Sequence, residues 1–226
     1  MKRFVGICSL ALLVMFCLSG VILAQPESFW FEILRSTFPG NPNEFYGAGY
    51  SVEGERITLA GIRVPTGKVF RTDAPVQNYH SEALNFVVAG SYPEFSQKFP
   101  EGEYKAGIRL GGGPIKSATF HVTHTFPDIP VLIYPTDGQT DVSLAPLIQW
   151  EPVYGIDDLD LEIEGGYSGF EIELSTDATS YQLPAGILEP NSEYSLMLSA
   201  TMIRVENRVE KGSRAIRWIS FTTGTE

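Results

Sequence analysis

The chain has very little cysteine. Its two cysteines, Cys8 and Cys17, both lie within the first 24 residues. A chain from which those residues have been removed can form no disulfide, so its stability must come from buried apolar surface and from hydrogen bonds. It also offers no thiol nucleophile and no thiolate ligand for a metal ion. These absences exclude a disulfide scaffold and cysteine-based catalysis.

Positive charge is also scarce. The chain holds 16 Lys and Arg against 27 Asp and Glu, a formal net charge of −11, and loss of Lys2 and Arg3 with the leader would take it to −13. No run of basic residues interrupts this acidic balance. An acidic surface repels phosphate backbones and anionic lipid surfaces, so we expect no nucleic-acid partner and no membrane contact by the mature chain.

Long stretches with apolar residues at helical spacing are missing. Apolar residues instead alternate with polar ones, as in Ser28 to Arg35, where Phe29, Phe31 and Ile33 share one face. Such alternation, bounded by Gly, Pro, Asn and Asp, is typical of strands, so we predict an all-β fold with one short helix at residues 92–99. Gly61, inside a strand, predicts a bulge.

The leader has the three parts of a secretory signal peptide. Lys2 and Arg3 precede an uncharged run, Phe4 to Ala24, and the small Ala24 suits cleavage before Gln25. This pattern predicts a signal peptide at residues 1–24 and a secreted or periplasmic protein. Two alternatives stay open: a retained membrane anchor, and lipidation of Cys17, for which Phe16 is a poor preceding residue.

Two domains fit the remaining length. Removing residues 1–24 from the 226 leaves 202, which suits two domains of about 100 residues each. Two prolines within Phe126 to Pro130 favour a stiff connector. We predict two β-sandwich domains in tandem: residues 25–127, of unknown family, and residues 128–226.

The second domain carries a spaced set of landmark residues. Trp150 lies in a short strand with Ile148, and Leu188, Pro190 and Tyr194 follow in the segment LEPNSEY. About seven short strands fit in its roughly 95 residues, which is typical of an immunoglobulin-like sandwich.

These residues resemble the fibronectin type III family. Trp150 matches the Trp of its second strand, and Leu188, Pro190 and Tyr194 match the corner before its sixth strand. The resemblance covers about Ile129 to Thr223 and implies fibronectin type III topology, with the Tyr194 ring in the core and its hydroxyl bonded to backbone a few residues upstream. It also implies a non-catalytic role in binding, adhesion or scaffolding.

Two further segments bear on this resemblance. Adhesive family members carry Arg-Gly-Asp in the loop before the last strand, whereas Glu206 to Ser213, predicted here as that loop, contains Lys211-Gly212-Ser213. Integrin-type recognition is therefore not implied. The opening YPTDGQTDVS is similar to bacterial exported sandwich domains, which implies a prokaryotic surface or periplasmic protein.

Metal and cofactor sites are not predicted. His121 and His124 are three residues apart on a predicted strand, which places them on opposite faces. The acidic run from Asp157 to Glu164 lacks the glycine that turns a calcium loop, and it reads as the solvated face of a strand.

Catalytic motifs are missing too. No Gly-x-Ser-x-Gly elbow occurs, and Gly111 to Ser117 predicts a hairpin turn and not a phosphate loop. We therefore predict a non-enzyme. An enzyme stays an alternative, and it would need a cleft with two facing carboxylates or a carboxylate beside His80.

Aromatic side chains of the first domain are the candidate contacts with a ligand or partner. Trp30, Tyr46 and Tyr50 are chosen because exposed rings stack on sugars or anchor proteins. Trp30 lies opposite Phe29 and Phe31 on its strand, so a second sheet, the other domain or a ligand must cover one of these faces. The partner is an unknown protein or a carbohydrate; a carbohydrate-binding module is an alternative.

Overall fold

The computed structural model describes residues 28–54, 57–72, 81–166 and 169–225. The predicted signal peptide and its alternatives, and His80, lie outside these residues. Within them the chain forms fifteen strands and one short helix, which confirms the predicted all-β class. No helix of this part of the chain is long and apolar enough to cross a bilayer.

The first region contains seven strands and the helix. Period-two alternation produces the strands, and glycine- or proline-containing turns separate several of them. The elements are β1 (Ser28–Phe38), β2 (Asn41–Gly54), β3 (Ile57–Arg63), β4 (Val69–Thr72), β5 (Ser81–Ala89), α1 (Tyr92–Lys98), β6 (Gly102–Leu110) and β7 (Ile115–Val122).

The second region contains eight strands in the described residues, one more than the predicted seven. The elements are β8 (Leu132–Tyr134), β9 (Gln139–Val142), β10 (Leu147–Trp150), β11 (Asp158–Gly165), β12 (Phe170–Leu174), β13 (Ser180–Gln182), β14 (Glu193–Glu206) and β15 (Val209–Thr223). The short β9, beside the C-terminal part of β15, has no alternating pattern in the sequence to predict it.

One eight-stranded sheet runs through both regions. Its order is β12-β11-β14-β15-β1-β2-β5, and β9 pairs with β15 off this path. β15 joins the two regions: it pairs with β14 along its whole length and, in parallel, with β1 over nine residues, from Phe29 opposite Val209 to Thr37 opposite Arg217. At about 3.3 Å per residue, this parallel ladder is about 30 Å long.

Two separate cores lie against the same face of this long sheet. In the first, Phe31 of β1 packs its ring against Tyr104 and Phe120 of the β4-β3-β6-β7 sheet, with ring centroids 5.4 and 5.3 Å apart. In the second, the β13-β10-β8 sheet covers β11, β14 and the C-terminal part of β15, around the buried Trp150. The predicted fold of two sandwiches, the second with fibronectin type III strand order, is therefore confirmed.

The prediction of a loop over Glu206 to Ser213 is wrong. β14 and β15 continue as a hairpin, and the turn residues Asn207 and Arg208 have φ of 51° and 68°. Two left-handed residues in a two-residue turn form a type I′ turn, whose twist matches the flanking strands. Val209, just after this turn, is buried in the first core. The second region thus supplies a core residue and a neighbouring strand to the first.

Two smaller predictions have different outcomes. The helix is confirmed: Ser91 and Glu94 form a capping box at its start, and Phe99 is its C-cap. The bulge at Gly61 is wrong, because Gly61 pairs in register and the ladder shifts between Ile57 and Leu59. Gly61 is instead required by a close backbone approach, since a Cβ there would lie 2.6 Å from the Phe70 carbonyl oxygen.

Candidate functional site

Side chains at the tip of the β14–β15 hairpin hold the edge of β7. Glu206 accepts a hydrogen bond from the His121 backbone N–H (3.1 Å), and Lys211 donates to the carbonyl of the same residue (2.9 Å). Asn207 donates to the Thr119 carbonyl (2.7 Å), and Lys211 pairs with Glu206 at 2.7 Å. These side chains take the place of a neighbouring strand, so the edge of β7 is covered there.

A buried ion pair joins the two regions on the face of the eight-stranded sheet that points away from both cores. Glu32 of β1 and Arg214 of β15 lie 3.3 Å apart, with 11% and 6% of their side chains exposed. Arg214 also donates to the Thr201 hydroxyl (3.2 Å), and the Trp30 indole N–H donates to Glu32 (3.3 Å). Because both charges are largely removed from water, loss of either partner would leave an unpaired buried charge.

The indole ring of Trp30 lies against Gly212. A Cβ built on Gly212 would come within 2.4 Å of the ring, so only glycine leaves room for it. The second region therefore packs against Trp30. Of the three possibilities for covering this face of β1, it is the other region that does so.

A single carboxylate bridges the far end of the junction. Asp137, in the second region, accepts hydrogen bonds from the backbone N–H of Gly40 in the first region and of Ser220 in β15, each at 2.9 Å. Burial raises the pKa of Asp137, but these hydrogen bonds outweigh it and the net pKa is lowered.

Arginine side chains of the sheet donate hydrogen bonds to the connector between the regions. Arg35 of β1 donates to the Pro127 carbonyl (2.5 Å), and Arg217 of β15 donates to the Pro130 carbonyl (3.1 Å). Ser213 also donates to the Thr125 carbonyl. The connector is therefore fixed by specific contacts as well as by its prolines.

A cleft of about 220 Å³ opens where the two regions meet, and we call it the junction cleft. Phe31, Ile33, Val122 and Met202 line its apolar floor. Its rim includes His121, Arg204 and Lys211, together with Thr123 and Thr125 of the connector. Among the described residues that line it, none is a carboxylate.

The two permanent cations on this rim already have acidic partners. Arg204 donates from Nη1 to Asp157 (3.0 Å) and to the Ile203 carbonyl (2.6 Å), and 65% of its side chain is exposed. Lys211 uses two of its three N–H groups on Glu206 and on the His121 carbonyl. The hydrogen bond from Lys211, followed by that from the His121 backbone, lowers the pKa of Glu206.

The three aromatic candidates do not share one surface. Trp30 lies on the sheet face away from the cores, whereas Tyr46 and Tyr50 lie on the core side. Tyr50 is 1% exposed and donates to the Ala60 carbonyl at 3.2 Å. Tyr46 packs its ring against Phe95 and donates to Glu44; burial, followed by that hydrogen bond, raises its pKa to about 12.

The landmark residues of the second region lie at its core. Trp150 is buried and donates to the Ala178 carbonyl (2.8 Å), and Leu188 is buried in the same core cluster. The Tyr194 hydroxyl accepts a hydrogen bond from the Glu189 backbone N–H (2.7 Å), and Pro190 is exposed at the corner. These contacts order the turn that leads into β14.

The acidic strand β11 presents its carboxylates on the face away from the core. Burial, the largest cause, raises the pKa of Asp160 to about 6 and that of Glu162 to about 7, and neighbouring carboxylates add to both shifts. In the described residues, no group of three or more His, Cys, Asp or Glu is arranged to hold a metal ion.

Sequence reasoning missed the junction residues. Glu206, Lys211 and Arg214 contact residues about 90 to 180 positions earlier, and no local pattern encodes such pairings. Because Lys211 and Ser213 are polar, the apolar alternation of the last strand does not continue backward to Val209.

Comparison with known proteins finds matches to this chain only among solved structures. No family model matches this chain, and no curated protein matches it. The chicken CNTN1 FN1–FN3 domains are 12% identical with a TM-score of 0.29; the alignment covers 86% of this chain and 63% of that one. A two-domain fibronectin type III segment from chicken tenascin is 15% identical with a TM-score of 0.26, covering 74% and 90%. The BSP domain of a biofilm associated protein is 12% identical with a TM-score of 0.25, covering 88% and 29%. The fold assignment therefore rests on the sheet order and the two cores.

Proposed function

We propose that this chain is an exported, non-catalytic scaffolding or adhesion protein that holds two sandwiches in one fixed arrangement. The observation that carries the proposal is β15, a 15-residue strand that pairs with β14 of the second region and with β1 of the first. The export part of the proposal comes from the signal-peptide pattern of residues 1–24.

The shared strand supports a rigid spacer. Domains joined only by a linker and a small interface move relative to each other by default. Here a nine-residue ladder, a buried ion pair and the bonded connector all cross the junction. Reorienting one region would break several of these contacts together.

The surfaces available for chemistry support a role without catalysis. The junction cleft has no carboxylate among its described lining residues, whereas the enzyme alternative requires two facing carboxylates or one beside His80, which lies outside the described residues. The carbohydrate alternative requires a row of exposed rings, and Trp30, Tyr46 and Tyr50 do not form one.

Distance measurement between the regions tests the rigid arrangement. Residues 25–226 contain no cysteine, so spin labels can be placed at Thr66→Cys and Thr176→Cys, both at exposed turn positions, one in each region. Double electron–electron resonance is expected to give one narrow distribution of distances between the two labels. A broad or multimodal distribution in the otherwise unaltered protein would contradict the scaffold.

A matched variant shows whether the junction sets that distance. In the same labelled chain, Arg214→Met leaves Glu32 as an unpaired buried charge and should broaden the distribution. Circular dichroism should confirm that both regions stay folded. Arg63→Met, at an exposed strand end in the first region, is the control and should leave the distribution unchanged.

Export is tested separately. Expression of the full chain with its leader should yield a processed protein outside the cytoplasm, with Gln25 or a close neighbour as its first residue by mass spectrometry. An intact leader in the membrane fraction would instead support the anchor alternative.

A further inference from the structure

We propose that the junction cleft binds a small carboxylate joined to an apolar group. The ligand would be either a free aryl or short-chain acid or the C-terminal residue of a peptide. The inference goes beyond the scaffold role: it concerns a binding site, and it holds whether or not the protein acts as a spacer.

The floor of the cleft suits an apolar group. Phe31 and Ile33 of β1, Val122 of β7 and Met202 of β14 meet there from three different strands. An apolar ligand group placed on them would leave water and be stabilised by about 25 cal/mol for each Å² it buries. Met202 has an unbranched, adaptable side chain that can adjust to different apolar shapes.

The rim supplies donors for a carboxylate. Arg204 donates to Asp157 and to the Ile203 carbonyl through Nη1 alone, so its Nε and Nη2 groups have no hydrogen-bond partner among the described residues. Lys211 retains one N–H group beyond those that bond Glu206 and His121. Since Arg204 and Lys211 are opposite each other in the β14–β15 ladder, their side chains leave the same face of the sheet.

The charge of the rim contrasts with that of the whole chain. The formal net charge is −11, yet the cleft is lined by the cations Arg204 and Lys211 without a carboxylate among its described residues. The two nearby acids are occupied: Asp157 accepts from Arg204 and the Ile203 N–H, and Glu206 from Lys211 and the His121 N–H. Asp157 and Glu206 therefore balance the formal charge of Arg204 and Lys211, and what the rim offers a carboxylate is the unused N–H groups of these two cations.

The size of the cleft limits the ligand. Its 220 Å³ holds about seven waters at about 30 Å³ each, and it lies below the range of about 300–1,000 Å³ typical of drug-sized ligands. A single aromatic ring or branched aliphatic group with one carboxylate fits this space, whereas a folded domain or an oligosaccharide does not.

Titration followed by ¹H–¹⁵N NMR tests the proposal with defined probes on residues 25–226. The probes are 3-phenylpropionate, its neutral counterpart 3-phenylpropanol, and a tetrapeptide ending in Phe with either a free or an amidated C-terminus. We expect saturable shifts at His121, Thr123 and Arg204 with an acid and at least about tenfold weaker binding of the neutral counterpart. Saturation by the free acid or by the peptide acid identifies the source of the ligand.

Matched variants locate the site. Arg204→Gln should weaken binding about tenfold or more, because it removes the charged donor. Arg208→Gln makes the same charge change at the exposed hairpin turn, outside the cleft lining, and should leave binding unchanged. Thr123→Trp keeps both cations but fills the cleft, and should abolish binding.

The proposal fails if neither acid saturates, if the neutral probes bind equally well, or if Arg204→Gln and Arg208→Gln bind alike. These results are independent of the spin-label distance, so the cleft and the scaffold can fail separately.

Discussion

The two regions differ in how complete they are. Every buried residue of the second core lies between Val142 and Phe221, within the second region itself. The first core includes Val209, and β1 of the first region pairs with β15, so the first region takes a core residue and a neighbouring strand from the second. The second region is therefore self-contained, whereas the first depends on its neighbour for both core and edge.

Two regions that a proline-containing connector joins can still share a sheet, and the boundary stays a prediction. The boundary predicted at residues 127 and 128 follows the prolines, yet the hydrogen-bonded ladder crosses it through β1 and β15. Covering the edge of β1 with β15 also removes an unpaired strand edge that would otherwise invite aggregation.

The largest effect is expected from cutting the chain at this boundary. Residues 25–127 alone lack β15 and Val209, so they should not fold. We expect no cooperative unfolding transition by circular dichroism and no dispersed NMR signals from this fragment. Residues 128–226 retain their whole core and should unfold in one sharp transition. Mixing the two fragments should restore dispersed signals of the first.

A sharp, independent transition in residues 25–127 would overturn the asymmetry. The matched control is the full chain with a protease site inserted after Asp128: after cleavage, the two parts should stay associated through β1 and β15.

A tyrosine in each region offers a smaller test. The Tyr194 hydroxyl accepts from the Glu189 N–H, whereas the Tyr104 hydroxyl donates to the Pro100 carbonyl (2.9 Å). Each Tyr→Phe change should lower the free energy of unfolding by about 0.5–1.5 kcal/mol. The loss should be larger for Tyr194→Phe, because it leaves a backbone N–H without a partner, and an unpaired N–H is less tolerated than a carbonyl with one hydrogen bond fewer.

Denaturant unfolding of the full chain measures this difference. Tyr154→Phe, at a side chain that is 82% exposed, is the control and should leave the midpoint unchanged. Equal midpoints for Tyr194→Phe and the parent protein would remove the corner as a source of stability.

The smallest effect is expected from pH. Asp160 and Glu162 have pKa values raised to about 6 and about 7, above the values of about 4 in the unfolded chain. As the pH falls, the folded state therefore binds these two protons at a higher pH than the unfolded state does. Stability should then rise as pH falls from 8 to 5. The carboxylates of Asp158, Glu164, Glu171 and Glu173 face the same pair and add to this effect, while the Arg214 cation opposes it.

Below pH 4 the sign reverses. The pKa values of Asp137 and Glu206 are lowered in the folded state. Their contributions to stability are therefore complete above the pKa values of the unfolded chain, and they are lost as the pH falls through the pKa values of the folded protein.

Between pH 8 and pH 5, thermal unfolding measures the effect of Asp160 and Glu162. The melting temperature should be about 2–4 °C higher at pH 5 than at pH 8, the shift that 1 kcal/mol gives in a chain of this size. Glu162→Gln should reduce this difference, and Glu103→Gln on the first region's β6 should not.

Much of the architecture was predictable because local patterns encode it. Alternation around Phe31 gives β1, and the spacing of Leu188, Pro190 and Tyr194 gives the corner of the second sandwich. The short helix was predicted because Pro100 marks its end, and the structure adds the capping box at its start.

The junction was not predictable, for a physical reason. Gly212 looks like a loop residue until Trp30, 182 positions earlier, is found lying against it. Its neighbour Lys211 likewise resembles a loop residue, because the His121 carbonyl to which it donates lies on β7, 90 positions earlier. The same non-local pairing creates the cleft, so the candidate site was missed together with the junction.

The parallel pairing of β1 with β15 has a mechanical consequence. A pull applied to the start of β1 and the end of β15 draws the two strands past each other along their length. The ladder from Phe29 to Thr37 is then loaded in shear, so its evenly spaced hydrogen bonds share the tension and must give way together instead of unzipping singly. Stretched between those two points, the protein resists most strongly at the strand pair that joins its two halves.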